Sequence, residues 1–106
     1  MLTFVMGGAY QGKYEFAKTF ELPVINGIQD IIRDLMKTDQ DILTEIMKIL
    51  EQEDCVAVCN EIGCGIVPAS KEDRDYREMV GRVACAIAKK ADAVYRVEAG
   101  IAQKIK

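Results

Sequence analysis

The sequence predicts an α/β fold: a mostly parallel sheet flanked by helices and finished by a C-terminal antiparallel hairpin. Three observations carry that expectation. Short apolar runs rich in strand formers alternate with stretches whose apolar residues recur at helical spacing. One run, Cys55-Val56-Ala57-Val58-Cys59, has no polar side chain, as befits a strand covered on both faces of a parallel sheet. The end of the chain reads as two strand-like runs separated by Glu98-Ala99-Gly100, a hairpin signal.

Taken in order, residues 2–6 form a first strand that stops at Gly7-Gly8, and Gly12-Lys13 opens a helical segment over 14–20. Leu22-Pro23-Val24-Ile25 is too short for a helix and runs into Asn26-Gly27, so it reads as a second short strand ending in a turn. Ile28, Ile31, Ile32, Leu35 and Met36 mark one face of a helix. A further helix is expected from Asp39 onward, with Ile42, Leu43, Ile46, Met47, Ile49 and Leu50 as its buried stripe and Thr38 and Asp41 resembling a capping pair. The run 55–59 is expected to be the central strand, followed by a loop whose glycines and Pro68 end regular structure. Ser70 with Asp73 caps the longest helix, in which Tyr76, Met79, Val80, Val83, Ala84, Ile87, Ala88 and Ala91 line one side. Residues 93–97 and 101–105 then form the edge hairpin. With no repeat, linker or low-complexity tract, residues 1–106 are expected to be one domain.

Composition narrows the function. Half of the 106 residues are hydrophobic, 29% are charged and two are proline, which rules out disorder and collagen-like structure. A chain of this size buries about two-thirds of its unfolded surface, so the four cysteines need not be disulfides. No apolar run approaches the roughly 18 residues of a membrane span, and residues 1–6 lack the basic start and long apolar stretch of a signal peptide. A cytoplasmic protein is expected. The net charge of −3 and pI near 5.0 offer no basic footprint for DNA or RNA. Histidine is absent, which removes the commonest general base, the commonest metal ligand and any phosphohistidine or nucleotidyl-histidine chemistry.

Gly7-Gly8-Ala9-Tyr10-Gln11-Gly12-Lys13 satisfies G-x-x-x-x-G-K between a predicted strand and a predicted helix. That is the context of a P-loop, in which successive backbone N–H groups surround a phosphate and the lysine neutralises it. An ordinary glycine-rich turn is the plainer alternative. The next residue is Tyr14, where the pattern wants the small hydroxyl of Ser or Thr that normally binds Mg²⁺. At the end of the second strand, where an acidic residue would hold the same ion, stands Asn26. Two metal-binding features are weakened together, and Mg²⁺ is expected to bind weakly or not at all.

The glycine loop, the string Asn60-Glu61-Ile62-Gly63-x-Gly65-Ile66-Val67-Pro68, the pattern Arg74-x-x-Arg77-x-x-Val80-Gly81-Arg82 and the terminal Ala91-Asp92-x-Val94-Tyr95-x-Val97-x-Ala99-Gly100-Ile101 appear in order along nearly the whole chain. Together they resemble the adenosylcobinamide kinase/adenosylcobinamide-phosphate guanylyltransferase family of cobalamin biosynthesis. The resemblance implies a P-loop nucleotide-binding fold, use of GTP or ATP to phosphorylate adenosylcobinamide, GMP transfer through a guanylylated histidine, and homo-oligomers. This chain departs from the family where its members carry a long segment including that histidine: only Glu21 and Leu22 separate Phe20 from Pro23. Covalent guanylyl transfer as the family performs it is chemically unavailable here. Kinase chemistry survives the absence, since phosphoryl transfer depends mainly on positioning and charge neutralisation, but it is impaired by Tyr14 and Asn26. Two readings stand: a specialised kinase-like enzyme, and a non-catalytic nucleotide-binding protein acting as a regulatory or assembly partner.

The nucleotide site is therefore expected at Gly7, Gly8, Ala9, Tyr10, Gln11, Gly12, Lys13 and Tyr14, with Tyr10 stacking on a base or merely exposed. Glu61, just past the run 55–59, is the candidate catalytic base or orderer of a metal-bound water; capping of the neighbouring loop is its bland role. Arg74, Arg77 and Arg82 could reach substrate phosphate, although with Glu72, Asp73, Asp75 and Glu78 beside them they equally form a solvated face. Cys55, Cys59, Cys64 and Cys85 form no C-x-x-C pair, so no metal site is expected and Cys55 and Cys59 read as buried thiols.

Overall fold

A computed structural model describes residues 1–61 and 70–106. The elements run β1 (Leu2–Gly7), α1 (Lys13–Lys18), β2 (Val24–Ile25), α2 (Ile28–Leu35), α3 (Ile42–Leu50), β3 (Cys55–Asn60), α4 (Lys71–Lys90), β4 (Ala93–Glu98) and β5 (Ile101–Lys104). Among the described residues the strands form one sheet in the order β2-β3-β1-β4-β5. β1 pairs in parallel with β3, from Leu2 opposite Cys55 to Gly7 opposite Asn60, and with β4, from Thr3 opposite Ala93 to Met6 opposite Arg96. β2 is parallel to β3, and β4 and β5 are antiparallel about Glu98 and Ile101. The expected mostly parallel sheet with a terminal hairpin is present.

Two details differ from the sequence expectation. The centre of the sheet belongs to β1, because α4 carries the chain from β3 across β1 to β4; β3 is covered on both edges but stands one place off centre. The third helix starts at Ile42, not Asp39. The Thr38 hydroxyl donates to the Leu35 carbonyl at 2.7 Å and accepts the Gln40 N–H at 3.2 Å, so it closes the end of α2 instead of capping α3. The expected Ser70 cap is present, its hydroxyl accepting the Asp73 N–H at 3.0 Å.

Strand alternation divides the core into two layers. On one face Phe4, Cys55, Ala57, Cys59 and Val94 pack against Ile28 and Ile32 of α2, Ile46 and Leu50 of α3, and Tyr76, Val80, Val83 and Ile87 of α4. The Tyr76 ring lies under the Arg33 guanidinium, 4.0 Å from ring centroid to charge, and its hydroxyl donates to the Gln29 carbonyl at 3.1 Å, which ties α4 to α2. On the opposite face Val5, Val56, Val58 and Val97 are covered by Ala17, Phe16, Phe20 and Leu22. Phe16, Phe20 and Tyr95 form a ring cluster with centroids 5.1–5.6 Å apart. The short connection from this layer to β2 turns through Glu21 at φ 55°, a left-handed conformation unusual for that residue.

Candidate functional site

β1 delivers the chain to a tight place. A Cβ on Gly7 would stand 2.4 Å from the Val97 carbonyl oxygen, so the strand must end in glycine for β4 to lie this close. The loop then turns through Tyr10 at φ 59° and Gly12 at φ 91°, and Gly12 starts α1 by accepting the Phe16 N–H at 3.1 Å. Lys13, the first residue of α1, is only 6% exposed. Its ammonium folds back over the loop and donates to the Gly8 carbonyl at 2.5 Å. Burial pulls Lys13 below the ordinary lysine range, with Cys59 acting weakly in the opposite sense. Among the described residues it makes no ion pair, so a buried cation faces the loop cavity with one neutral acceptor.

That cavity, about 400 Å³, is lined by Ala9, Tyr10, Gln11, Gly12, Lys13, Tyr14 and Glu15, by Asn26, Gly27, Gln29 and Asp30 of the β2–α2 junction, and by Val58 and Asn60 of β3. Its volume suits a small-molecule ligand. The structure thus gathers Ala9 to Tyr14 with Asn26 at one mouth, at the carboxyl ends of parallel strands. Gly7 and Gly8 stand outside its lining, the first braced against Val97 and the second holding the lysine. Tyr10 is fully exposed and Tyr14 half-exposed.

Glu61 is placed differently. Its backbone N–H donates to the Gly7 carbonyl at 2.7 Å, while its carboxylate pairs with Arg96 at 3.1 Å, and Arg96 also reaches Glu98 at 3.1 Å. It lines a second, more apolar cavity of about 230 Å³ between β1, β3 and α4, together with Phe4, Met6, Arg77 and Val80. Arg77 therefore shares a cavity with Glu61 and not with the glycine loop, whereas Arg82 pairs with Glu78 at 2.6 Å along α4. Arg74 is absent from the lining of either cavity and has a partner of its own.

Cys55 and Cys59 are buried thiols as expected, and burial pushes Cys59 up to about 12. Cys85 is exposed, and Cys64, with the rest of the glycine string 62–69, lies outside the described residues. No group of three or more Cys, Asp or Glu able to hold a metal ion occurs among the described residues.

Sequence reasoning missed Gln29, Asp30 and Asn60. Gln29 and Asp30 lie between the apolar positions that define the α2 stripe, so the periodicity gives them no role. Only the fold turns the first turn of α2 toward the loop, where Gln29 Oε1 accepts the Asn60 N–H at 3.0 Å. A Cβ on Gly27 would stand 3.3 Å from Asp30 Oδ2, which places that carboxylate beside Gly27, and Asp30 and Asn26 line the same cavity. The side-chain oxygens that line the cavity with Lys13 include the Tyr14 phenol, the Asn26 amide and the Glu15 and Asp30 carboxylates.

A family model described as cobinamide kinase / cobinamide phosphate guanyltransferase matches residues 24–105, a stretch that begins after the glycine loop. The bifunctional adenosylcobalamin biosynthesis proteins CobU of Salmonella typhimurium LT2 and of Escherichia coli K12 are each 47% identical to this chain over 51 residues. That alignment takes in 48% of this chain and 28% of either relative.

Proposed function

This chain belongs to the cobinamide kinase / cobinamide phosphate guanyltransferase family, and from that premise we propose that it is a nucleotide-binding protein of cobalamin biosynthesis. In this reading residues 1–106 act as one shortened domain in which loop 7–13 and Tyr14 receive the phosphates of GTP or ATP. The observation that carries it is Lys13: a desolvated ammonium at the mouth of a 400 Å³ cavity, holding only a loop carbonyl that an anion can replace. Tyr10 supplies an exposed ring beside the same mouth.

Adenosylcobinamide is the substrate that the family relationship suggests, and self-association is expected on the same ground. The guanylyl step is lost, because the chain has no histidine to carry GMP. Mg²⁺ arriving with a nucleotide would be held chiefly by the phosphates, with Asp30 and Asn26 of the cavity lining as candidate protein oxygens; the ion would neutralise phosphate charge.

A second reading, a non-catalytic regulatory or assembly partner, is favoured by one observation: the Glu61 carboxylate is engaged by Arg96 in a cavity other than that of the loop. Kinase activity would require Arg96 to release it. Calorimetric titration with GTP, ATP and adenosylcobinamide, with and without Mg²⁺, tests the binding site. Assaying phosphate transfer to adenosylcobinamide separates the two readings. Incubation with radiolabelled GTP is expected to give no acid-labile GMP–protein adduct; a stoichiometric adduct that survives denaturation would point to lysine chemistry instead.

A further inference from the structure

The turn between β4 and β5 passes through Ala99 at φ 50° and Gly100 at φ 76°, the pair of left-handed residues that a two-residue hairpin with right-handed twist requires. This turn is joined to the glycine loop. The Ala99 N–H donates to Gln11 Oε1 at 2.6 Å, and the Gly100 N–H donates to the Gln11 backbone carbonyl at 2.9 Å. The same side-chain amide donates back to the Ala9 carbonyl at 3.4 Å. Gly12 lies so close to the turn that a Cβ there would be 3.4 Å from Gly100 Cα. One loop residue thus satisfies both N–H groups of the turn while bracing the loop internally.

Gln11 is flanked by the left-handed Tyr10 and Gly12. A loop with glycine at several positions has many conformations to lose before its amides can surround an anion, and that loss opposes binding. We propose that Gln11 is a positioning residue for phosphate binding: by gripping the Ala99-Gly100 turn it holds the glycine loop in the shape that receives the anion. The proposal rests on the reading of this loop as the nucleotide site. Coupling is reciprocal, so an anion that prefers the gripped loop must also tighten the grip on the turn.

The test uses inorganic pyrophosphate as probe, titrated by calorimetry into the wild type and Gln11→Met, which keeps the bulk and removes the acceptor. Loss of one neutral hydrogen bond predicts about three- to tenfold weaker pyrophosphate binding by Gln11→Met. Amide exchange at Ala99 supplies a readout that a purely structural role would not move: pyrophosphate is expected to slow it in the wild type and leave it unchanged in Gln11→Met. If Gln11→Met is poorly folded, Gln11→Glu retains the acceptor and is expected to keep the Ala99 amide protected. Equal pyrophosphate affinity in wild type and Gln11→Met overturns the grip alone, as does an Ala99 amide that ignores the ligand. A wild type that binds no pyrophosphate overturns the phosphate-loop reading, and this inference with it.

Discussion

The two faces of the sheet are built on different scales. One is covered by α2, α3 and α4, which bury Ile28, Ile32, Ile46, Val83 and Ile87 almost completely. The other is covered by six-residue α1 and the turn after it, where Phe16, Phe20 and Leu22 remain partly exposed over Val5, Val56 and Val58. The difference teaches where the stability resides and where the candidate site lies. Burial contributes in proportion to apolar area removed from water, so the three-helix face holds the sheet together, while the thin face carries the loop and Lys13 and can vary with less effect on folding.

That division can be broken most directly in the thick layer. Ile32→Ala should cost about 3–4 kcal/mol, through lost transfer energy and a cavity at a fully buried site, read as a fall in the urea midpoint. The next largest effect should appear in binding and not in folding. Lys13→Ala is expected to weaken ATP or pyrophosphate affinity by about ten- to a hundredfold, the worth of one charge-assisted contact, with little change in the urea midpoint; an unchanged affinity would sever the thin face from phosphate binding. Phe16→Ala removes a partly exposed ring and should cost only about 1–2 kcal/mol. A cost equal to that of Ile32→Ala would abolish the contrast between the faces.

Smaller effects sharpen the comparison at the loop. Burial depresses the Lys13 pKa, so its ammonium is lost at a lower pH than that of an ordinary lysine. ATP affinity measured without Mg²⁺ should therefore fall at a pH below the ordinary lysine value of about 10.4, and Lys13→Arg, which stays charged, should move the fall upward. The smallest effect concerns Mg²⁺. Wild-type nucleotide affinity should differ little between Mg²⁺ and a chelator, whereas Tyr14→Ser with Asn26→Asp should make it Mg²⁺-dependent by more than the single changes combined, because the two new side chains would act on the same ion. Strong Mg²⁺ dependence in the wild type would show that Asp30 already supplies what Asn26 lacks.

The sheet and its hairpin were legible because the strands are apolar runs and the helices keep their spacing; Ser70 with Asp73 marked the start of α4 correctly. Thr38 misled because a hydroxyl at the end of one helix and the start of another looks the same in sequence, and here it bonds backward to Leu35. The rank of β3 was not legible: an apolar strand shows that both faces are covered but not which neighbours it has. In the site, the loop could be read from its glycines and lysine. Asp30 and the Gln11 contacts could not, since both depend on segments far away in the chain that the crossovers bring to one edge.

The position of β1 has a further consequence for the order in which this molecule can acquire its structure. Among the strands of this sheet β1 is synthesised before the others, yet it is paired with Cys55–Asn60 on one side and with Ala93–Arg96 on the other, both far along the chain. Contacts of such long sequence separation must close large loops before they are rewarded, which slows folding. While the nascent chain lengthens, Leu2–Gly7 has an unpaired apolar edge on each side, and until β4 has left the ribosome the Val97 carbonyl that fits against Gly7 does not exist. The glycine loop can take its final shape only when almost all of the sheet is in place.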